Sequence, residues 1–170
     1  MGVTLISAWL RMRLVFGLDG SDQMQAIIWV SLAAFAAAST PTQSTVAVAF
    51  IAGQLALSYV AAGVAKLLSA DWRGGSAIVG ILSTDTYGHR ALQQVVNRPS
   101  VARLLCWSVI GFEVGFPLLL TLGGIGLVVS AIAAVAFHAG VAHFMGLNLF
   151  LWAFLAALPC VAATQQAIFA

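Results

Sequence analysis

Three ionisable side chains lie where this chain is otherwise apolar. Lys66 is the only lysine and ends one long apolar run, Glu113 is the only glutamate and lies in the middle of another, and His138 lies in a third. Ionisable residues inside membrane segments are costly, and they commonly bind substrates, relay protons or pair with one another. Lys66 and Glu113 are therefore either structural contacts between helices or the reactive centre of a membrane enzyme, and His138 is a further candidate for either role.

Lys66 shares one helical face with Tyr59 and Gly63, because the three are spaced i, i+4 and i+7. Gly63 would let a neighbouring backbone approach this face, and Tyr59 would bring a hydroxyl to it. Desolvation favours the uncharged form of a lysine, which is a usable base or nucleophile. Alternatively, Lys66 extends its amine to the lipid headgroups from the end of its segment. Spacing alone favours this second interpretation.

Glu113 lies too far inside its segment to reach the headgroups easily. It falls between Gly111 and Gly115, a GxxxG pattern that is typical of closely packed membrane helices. At about 100° per residue, Glu113 points about 160° away from the glycine face. The pattern predicts that the glycine face packs on a neighbouring helix while the carboxyl points into the bundle. There it would be either a structural hydrogen-bonding group or part of a functional ion pair.

His138 lies within the apolar segment that follows that of Glu113, and His143 lies near the end of the same segment. Their i, i+5 spacing separates them by about 140° around a helix, so they are poor joint ligands for one metal ion. No metal site is predicted. Spacing alone favours His138 as a residue that hydrogen-bonds two helices over a catalytic one.

The composition indicates a polytopic integral membrane protein. Of the 170 residues, 62% are hydrophobic and 7% charged, and the mean hydropathy is +1.04. Soluble domains usually carry about a quarter of charged residues. No charged residue lies between Asp22 and Lys66 or after Glu113, and these stretches exceed the roughly 20 residues that span a bilayer. Membrane lipids are therefore the expected partners.

Two other classes of interaction find no support in the sequence. The formal net charge of +2, with no run of basic residues, argues against nucleic acid as a partner. Cys106 and Cys160 both fall inside predicted membrane spans and predict no disulfide.

The pattern predicts an all-α bundle of about five transmembrane helices in a single domain. Residues 3–18 mix apolar residues with Arg11 and Arg13, which predicts an amphipathic helix at the membrane interface rather than a signal peptide. Ser21 or Asp22 is predicted to cap the first membrane helix. The spans are predicted at 23–39, 45–68, 101–122, 125–143 and 146–167.

The polar connection over residues 69–100 is too long for a simple turn. It is predicted to be ordered, with a short helix around 76–82. Further along the chain, Pro159 is predicted to kink the last span.

Charge predicts the orientation in the membrane. With the N-terminus in the cytoplasm, two spans return the 69–100 connection to the same side. All six arginines then face the cytoplasm, which satisfies the positive-inside rule. The C-terminus is expected on the opposite side. The six are Arg11, Arg13, Arg73, Arg90, Arg98 and Arg103.

The segment from Ser58 to Gly75 resembles the Y-x-x-A-G-x-x-K-L … W-x-x-G block of the HTTM superfamily, whose best-known member is the vitamin K-dependent γ-glutamyl carboxylase. Two later strings resemble the next helices of this family. They are Phe112-Glu113 with Pro117, and Phe137-His138 with Met145-Gly146. The similarity covers about residues 18–160 in the order of the family.

The resemblance implies a role for each candidate residue. Lys66 falls at the position of the base that deprotonates reduced vitamin K, and His138 at the intramembrane histidine of the family. Glu113 falls where the family carries an acidic residue. A quinone or quinol is the implied cofactor, and a bacterial cytoplasmic membrane the implied location. The residues implied to shape the pocket are Tyr59, Gly63, Trp72 and Gly75.

The chain also departs from the carboxylase. The resemblance covers the membrane core alone, and charge places the connection after Lys66 in the cytoplasm, whereas the carboxylase has it in the lumen. Glutamate carboxylation is therefore not expected. Two hypotheses remain: a membrane enzyme or quinol-binding protein that uses Lys66, Glu113 and His138, and a non-catalytic transmembrane subunit of a larger complex in which these residues join helices.

Overall fold

The computed structural model describes residues 19–169 together with Gly2 and Ile6, and every regular element in this part of the chain is an α-helix. The predicted all-α fold is confirmed. The predicted interfacial helix over residues 3–18 lies, apart from Ile6, outside the described residues. The helices from Asp19 onward are α1 (Gly20–Ala36), α2 (Pro41–Leu68), α3 (Ala70–Gly74), α4 (Ser76–Leu82), α5 (Arg90–Val96), α6 (Pro99–Leu120), α7 (Gly123–Met145) and α8 (Asn148–Phe169).

Four of the described helices are long and apolar enough to cross a membrane: α2, α6, α7 and, over Asn148–Ile168, α8. They correspond to the last four predicted spans, and they support an integral membrane protein. The first predicted span is also a helix, but α1 has only 17 residues. That number gives a length of about 25 Å, which is less than the roughly 30 Å of a hydrocarbon core.

The ends of the helices follow from local sequence. The Asp19 side chain caps α1 by accepting hydrogen bonds from the backbone N–H groups of Ser21 and Asp22 at 2.8 and 2.9 Å. The cap therefore lies at Asp19, and the predicted cap at Ser21 or Asp22 is wrong. Pro41 begins α2, where its missing N–H costs nothing. Pro159 lies inside α8, which is helical on both sides of it, and the kink stays a prediction.

The described chain forms two compact units whose boundary falls inside α2. One unit comprises the described residues up to Ala56 together with those from Trp152 onward. The other, Leu57–Leu151, contains the C-terminal part of α2, all of α3 to α7 and the start of α8. All the candidate site residues belong to this second unit.

In the second unit, α6 packs against α7 along one stripe of each helix. The stripe of α7 repeats every fourth residue and consists mostly of small side chains, which allow the helices to approach closely. The buried residues of α6 are Ala102, Cys106, Ile110, Glu113 and Phe116, and those of α7 are Gly126, Ser130, Ala134, His138 and Ala142. Glu113 and His138 are thus members of the packing faces themselves.

The polar connection contains three short helices and is packed against α6. The predicted helix around residues 76–82 is confirmed as α4, with bounds Ser76–Leu82. Leu82, Val96 and Ala102 form a buried apolar cluster that joins α4, α5 and α6. This burial holds the connection in place beside the first half of α6.

Gly75 is the tightest point between the connection and α6. Its φ of +94° lies in the left-handed region, and a Cβ at this position would come within 2.7 Å of the Arg103 backbone nitrogen. Only glycine combines this conformation with this approach. The turn between α3 and α4 therefore depends on it.

We expect Gly75→Ala to lower the free energy of unfolding by about 1–3 kcal/mol, because it adds left-handed strain to a backbone clash. Thermal unfolding of the purified protein in lipid nanodiscs measures the effect. The matched control is Gly74→Ala, since a Cβ on the preceding glycine meets nothing within 4 Å. Equal stability of the two variants would contradict the described turn.

Candidate functional site

Lys66 and Glu113 form a bidentate ion pair between α2 and α6. The Lys66 Nζ donates to both carboxylate oxygens, each at 2.8 Å. The Lys66 side chain is 21% exposed and that of Glu113 5%. The Lys66 amine therefore pairs with a carboxylate inside the protein. It does not extend to the lipid headgroups, which was the interpretation that spacing alone favoured. The Glu113 carboxyl, which is predicted to point into the bundle, is buried and has Lys66 as its partner.

Gly63 makes this ion pair sterically possible. A Cβ at Gly63 would lie 2.9 Å from the Glu113 Cβ and 2.9 Å from the Val114 backbone nitrogen. Those separations are shorter than real Cβ contacts, so only a glycine lets α2 come this close to α6. The predicted role of Gly63 as the point of close approach is confirmed.

Tyr59 and His138 form a second polar pair, which joins α2 to α7. The Tyr59 hydroxyl and the His138 Nε2 share a hydrogen bond of 2.9 Å, and both residues are 2% exposed. Spacing alone favours a structural role for His138, and a buried hydrogen bond between two helices is such a role. The same geometry also allows a proton to be exchanged between a phenol and an imidazole.

Aromatic rings pack around the second pair. Tyr59 contacts Phe112 and Phe116 with ring centroids 5.0 and 4.5 Å apart, and Phe137 lies 5.1 Å from Phe112. These rings exclude water from the Tyr59–His138 bond. No spacing or charge signal distinguishes Phe116 or the two other phenylalanines as site residues, because ten phenylalanines are spread through this apolar chain.

The two polar pairs share helix α2, from which Lys66 reaches α6 and Tyr59 reaches α7. Tyr59 and Lys66 are seven residues apart on α2, which corresponds to about 10 Å along the axis. Glu113, the partner of Lys66, lies between the two α6 phenylalanines that contact Tyr59. Three helices thus bring one acid, one amine, one phenol and one imidazole into a single region.

Trp72 and Gly75 take different places around this region. The Lys66 Nζ lies 5.2 Å from the centroid of the Trp72 ring, which is the geometry of a cation–π contact. Trp72 thus contacts Lys66, as predicted for a pocket residue. Gly75 instead packs against the backbone of Ala102 and Arg103. Gly75 forms the turn that follows α3, and this turn positions α3, the helix that contains Trp72.

The GxxxG face of α6 is less closely packed than the face of α2 that contains Gly63. A Cβ at Gly111 or at Gly115 would meet no atom of the described residues within 4 Å. Leu104 and Leu118 on the same helix are each 66% exposed. The glycine that permits the close approach of α2 to α6 is Gly63. The GxxxG face therefore has no such close contact within the second unit, and its packing on another helix stays a prediction.

The arrangement can stabilise charge and move protons. Two of the three Lys66 protons are directed at Glu113, which leaves one for an oxygen of a ligand. Proton transfer from Lys66 to Glu113 would produce a neutral amine and a neutral acid, which conserves the net charge of the pair. The described residues contain no group of three or more His, Cys, Asp or Glu side chains suited to a metal ion.

Gly63→Ala should separate α2 from α6 and weaken the ion pair. We expect a loss of about 1–3 kcal/mol in the free energy of unfolding, the usual cost of overpacking, together with a broadened thermal transition. The control is Gly53→Ala on the same helix, where a Cβ meets nothing within 4 Å. A Gly63→Ala protein as stable as this control would contradict the close approach.

A double-mutant cycle measures how Lys66 and Glu113 depend on each other. Lys66→Met or Glu113→Gln alone leaves one buried charge without its partner, and we expect each to cost about 3–5 kcal/mol of unfolding free energy. The double variant carries neither charge and should recover most of the loss. Additive losses in the double variant would show that the two side chains do not interact.

No family model, curated protein or solved structure matches this chain. The resemblance to the HTTM superfamily therefore stays a prediction, and the site is interpreted from its own residues.

Proposed function

We propose that this integral membrane protein binds an apolar molecule of the quinone or quinol class at Lys66, Glu113, Tyr59 and His138. The observation that carries the proposal is the convergence of two hydrogen-bonded polar pairs from three long, mostly apolar helices. A quinol combines an apolar ring with hydroxyl groups, and it reaches such a site from the bilayer. The protein would then act on the ligand through proton transfer.

The Lys66–Glu113 pair suits an acidic hydroxyl. When Lys66 has passed a proton to Glu113, its neutral amine can accept the proton of a bound quinol. The product is a quinolate beside an ammonium group, and this opposite charge stabilises it in a medium of low dielectric constant. Trp72, stacked over the amine, would limit the access of water to that charge.

The Tyr59–His138 pair suits the other end of the same ligand. A phenol that is hydrogen-bonded to an imidazole can donate a hydrogen bond to a carbonyl oxygen or accept one from a hydroxyl. Which of the two it does depends on whether the phenol or the imidazole holds the proton. The phenylalanine rings around it supply an apolar surface on which a flat ring can pack. The resemblance to the HTTM superfamily, in which Lys66 occupies the position of the base, agrees with this assignment.

The proposed location is the cytoplasmic membrane of a bacterium, with the 69–100 connection on the cytoplasmic side. Four arginines lie in this connection or in the first turns of α6, and all four are exposed. Basic residues favour the cytoplasmic side of a membrane. The four are Arg73, Arg90, Arg98 and Arg103.

A second candidate function is that of a transmembrane subunit in a larger complex. The open face of Gly111 and Gly115 favours it, because GxxxG faces commonly pack on a second membrane helix. In this case the two polar pairs would hold helices together, and the glycine face would bind another subunit.

Purification in native lipids followed by mass spectrometry separates the two functions. For the first we expect about one quinone-class molecule per chain, lost from the Lys66→Met/Glu113→Gln variant. This variant keeps the side-chain volumes and removes both charges, so it should fold while no longer binding the ligand. Retention of the quinone by Gly53→Ala, which lies away from the site, is the matched control.

Two outcomes would contradict the quinone proposal. One is a purified parent protein that carries no quinone-class molecule. The other is a folded, charge-free variant that retains as much quinone as the parent. Another membrane protein recovered in a fixed stoichiometry with the parent chain would support the second candidate function instead.

A further inference from the structure

Two histidines that are 54 residues apart in sequence lie together at one end of the second unit. His89 precedes α5 as its N-cap residue, and His143 lies in the last turn of α7. Their ring centroids are 6.1 Å apart, with the ring planes at 41° to each other. Phe144 packs edge-on against both rings, at 5.3 and 4.8 Å. Neither histidine belongs to the site described above.

The environment of the two rings is unequal. The Nδ1 atom of His89 is buried and has no hydrogen-bond partner among the described residues. A buried polar nitrogen without a partner costs free energy, and a bound ion is one of the groups that can satisfy it. His143 is exposed and lies in the last turn of α7, close to the end of this apolar helix. The pair thus joins an unsatisfied buried nitrogen to an exposed ring.

The separation of the rings agrees with joint coordination of one ion. Two imidazoles that bind a metal at 2.0–2.1 Å hold their ring centres roughly 5–6.5 Å apart, for angles at the metal from tetrahedral to linear. The observed 6.1 Å lies within this range. Imidazole nitrogens are preferred ligands of zinc, copper and nickel.

We propose that His89 and His143 form a binding site for a divalent first-row transition metal ion. The protein supplies two nitrogen ligands, and water molecules complete the coordination. No third His, Cys, Asp or Glu side chain completes a metal-binding group within the described residues, so the site would be open to exchange with solution. It lies where α7 ends beside the connection, and its ion would hold these two elements together.

Spacing along the chain could not reveal this site. Spacing relates His143 to His138, its neighbour on the same helix, and the i, i+5 separation makes these two poor joint ligands. His89 lies in the connection, and only the packing of the connection against the rest of the unit brings it to His143. Met145, two residues after His143, packs on the apolar cluster of Leu82 and its neighbours, which fixes the end of α7 there.

Copper(II) is the probe of choice, because it binds nitrogen sites most tightly among these ions. We expect tag-free protein in nanodiscs to bind one Cu²⁺ per chain by isothermal titration, with an electron paramagnetic resonance spectrum that shows two imidazole nitrogens. His89→Ala and His143→Ala should each weaken the affinity by at least about tenfold, because each removes one of two protein ligands. Zn²⁺ should compete for the same site.

Two controls separate the pair from other sources of copper binding. Gly140→Ala changes the same helix one turn before His143, where an added Cβ meets nothing within 4 Å, and should leave the affinity unchanged. Cys160→Ser tests the half-buried thiol and should also have no effect. Unchanged melting temperatures of the metal-free histidine variants exclude loss of folding.

Three results would overturn the proposal. The first is an electron paramagnetic resonance spectrum of the copper-bound parent protein that shows only one coordinated nitrogen. This result is obtained without any variant. The second is a His89→Ala protein that binds copper as the parent does, since binding would then rest on the exposed His143 alone. The third is an affinity that neither histidine variant changes, which would identify the binding as adventitious.

Discussion

The ion pair between Lys66 and Glu113 sets the arrangement of the helices around it. Two opposite charges taken out of water are tolerated only when they satisfy each other, and here one amine meets both oxygens of one carboxylate. The pair therefore specifies how far α2 can slide or rotate against α6. Gly63 serves the same constraint sterically, because any side chain at that position would hold the two helices too far apart.

The remaining features of the site follow from this fixed register. With Lys66 opposite Glu113, Tyr59 lies against the phenylalanines on either side of that glutamate and reaches His138 on α7. The connection after Lys66 turns at Gly75 onto the backbone of α6, which brings Trp72 over the amine. The same residues consequently pack the helices and form the polar site. A substitution that changes the site will therefore usually disturb the packing as well.

The two proposed sites use different physical means. The interior site depends on the exclusion of water, which makes hydrogen bonds and charges strong and suits an apolar ligand with one or two oxygens. The histidine pair lies where α7 ends, with one ring exposed, and suits an ion that arrives from solution. The open GxxxG face of α6 is a third feature, and it concerns contact with another membrane helix and not small-molecule chemistry.

Sequence by itself determined the class of the protein, the four long membrane helices, the short helix Ser76–Leu82 and the interior position of Glu113. These follow from composition, periodicity and the cost of charge in lipid, which act locally along the chain. The tertiary structure decided which partners meet: Lys66 with Glu113, Tyr59 with His138, and His89 with His143. It also decided that Gly63, and not the GxxxG pair, makes the close contact between α2 and α6. The physical reason is that spacing gives the face of a helix on which a residue lies, whereas the rotation and depth of its neighbour depend on the packing of all the helices together.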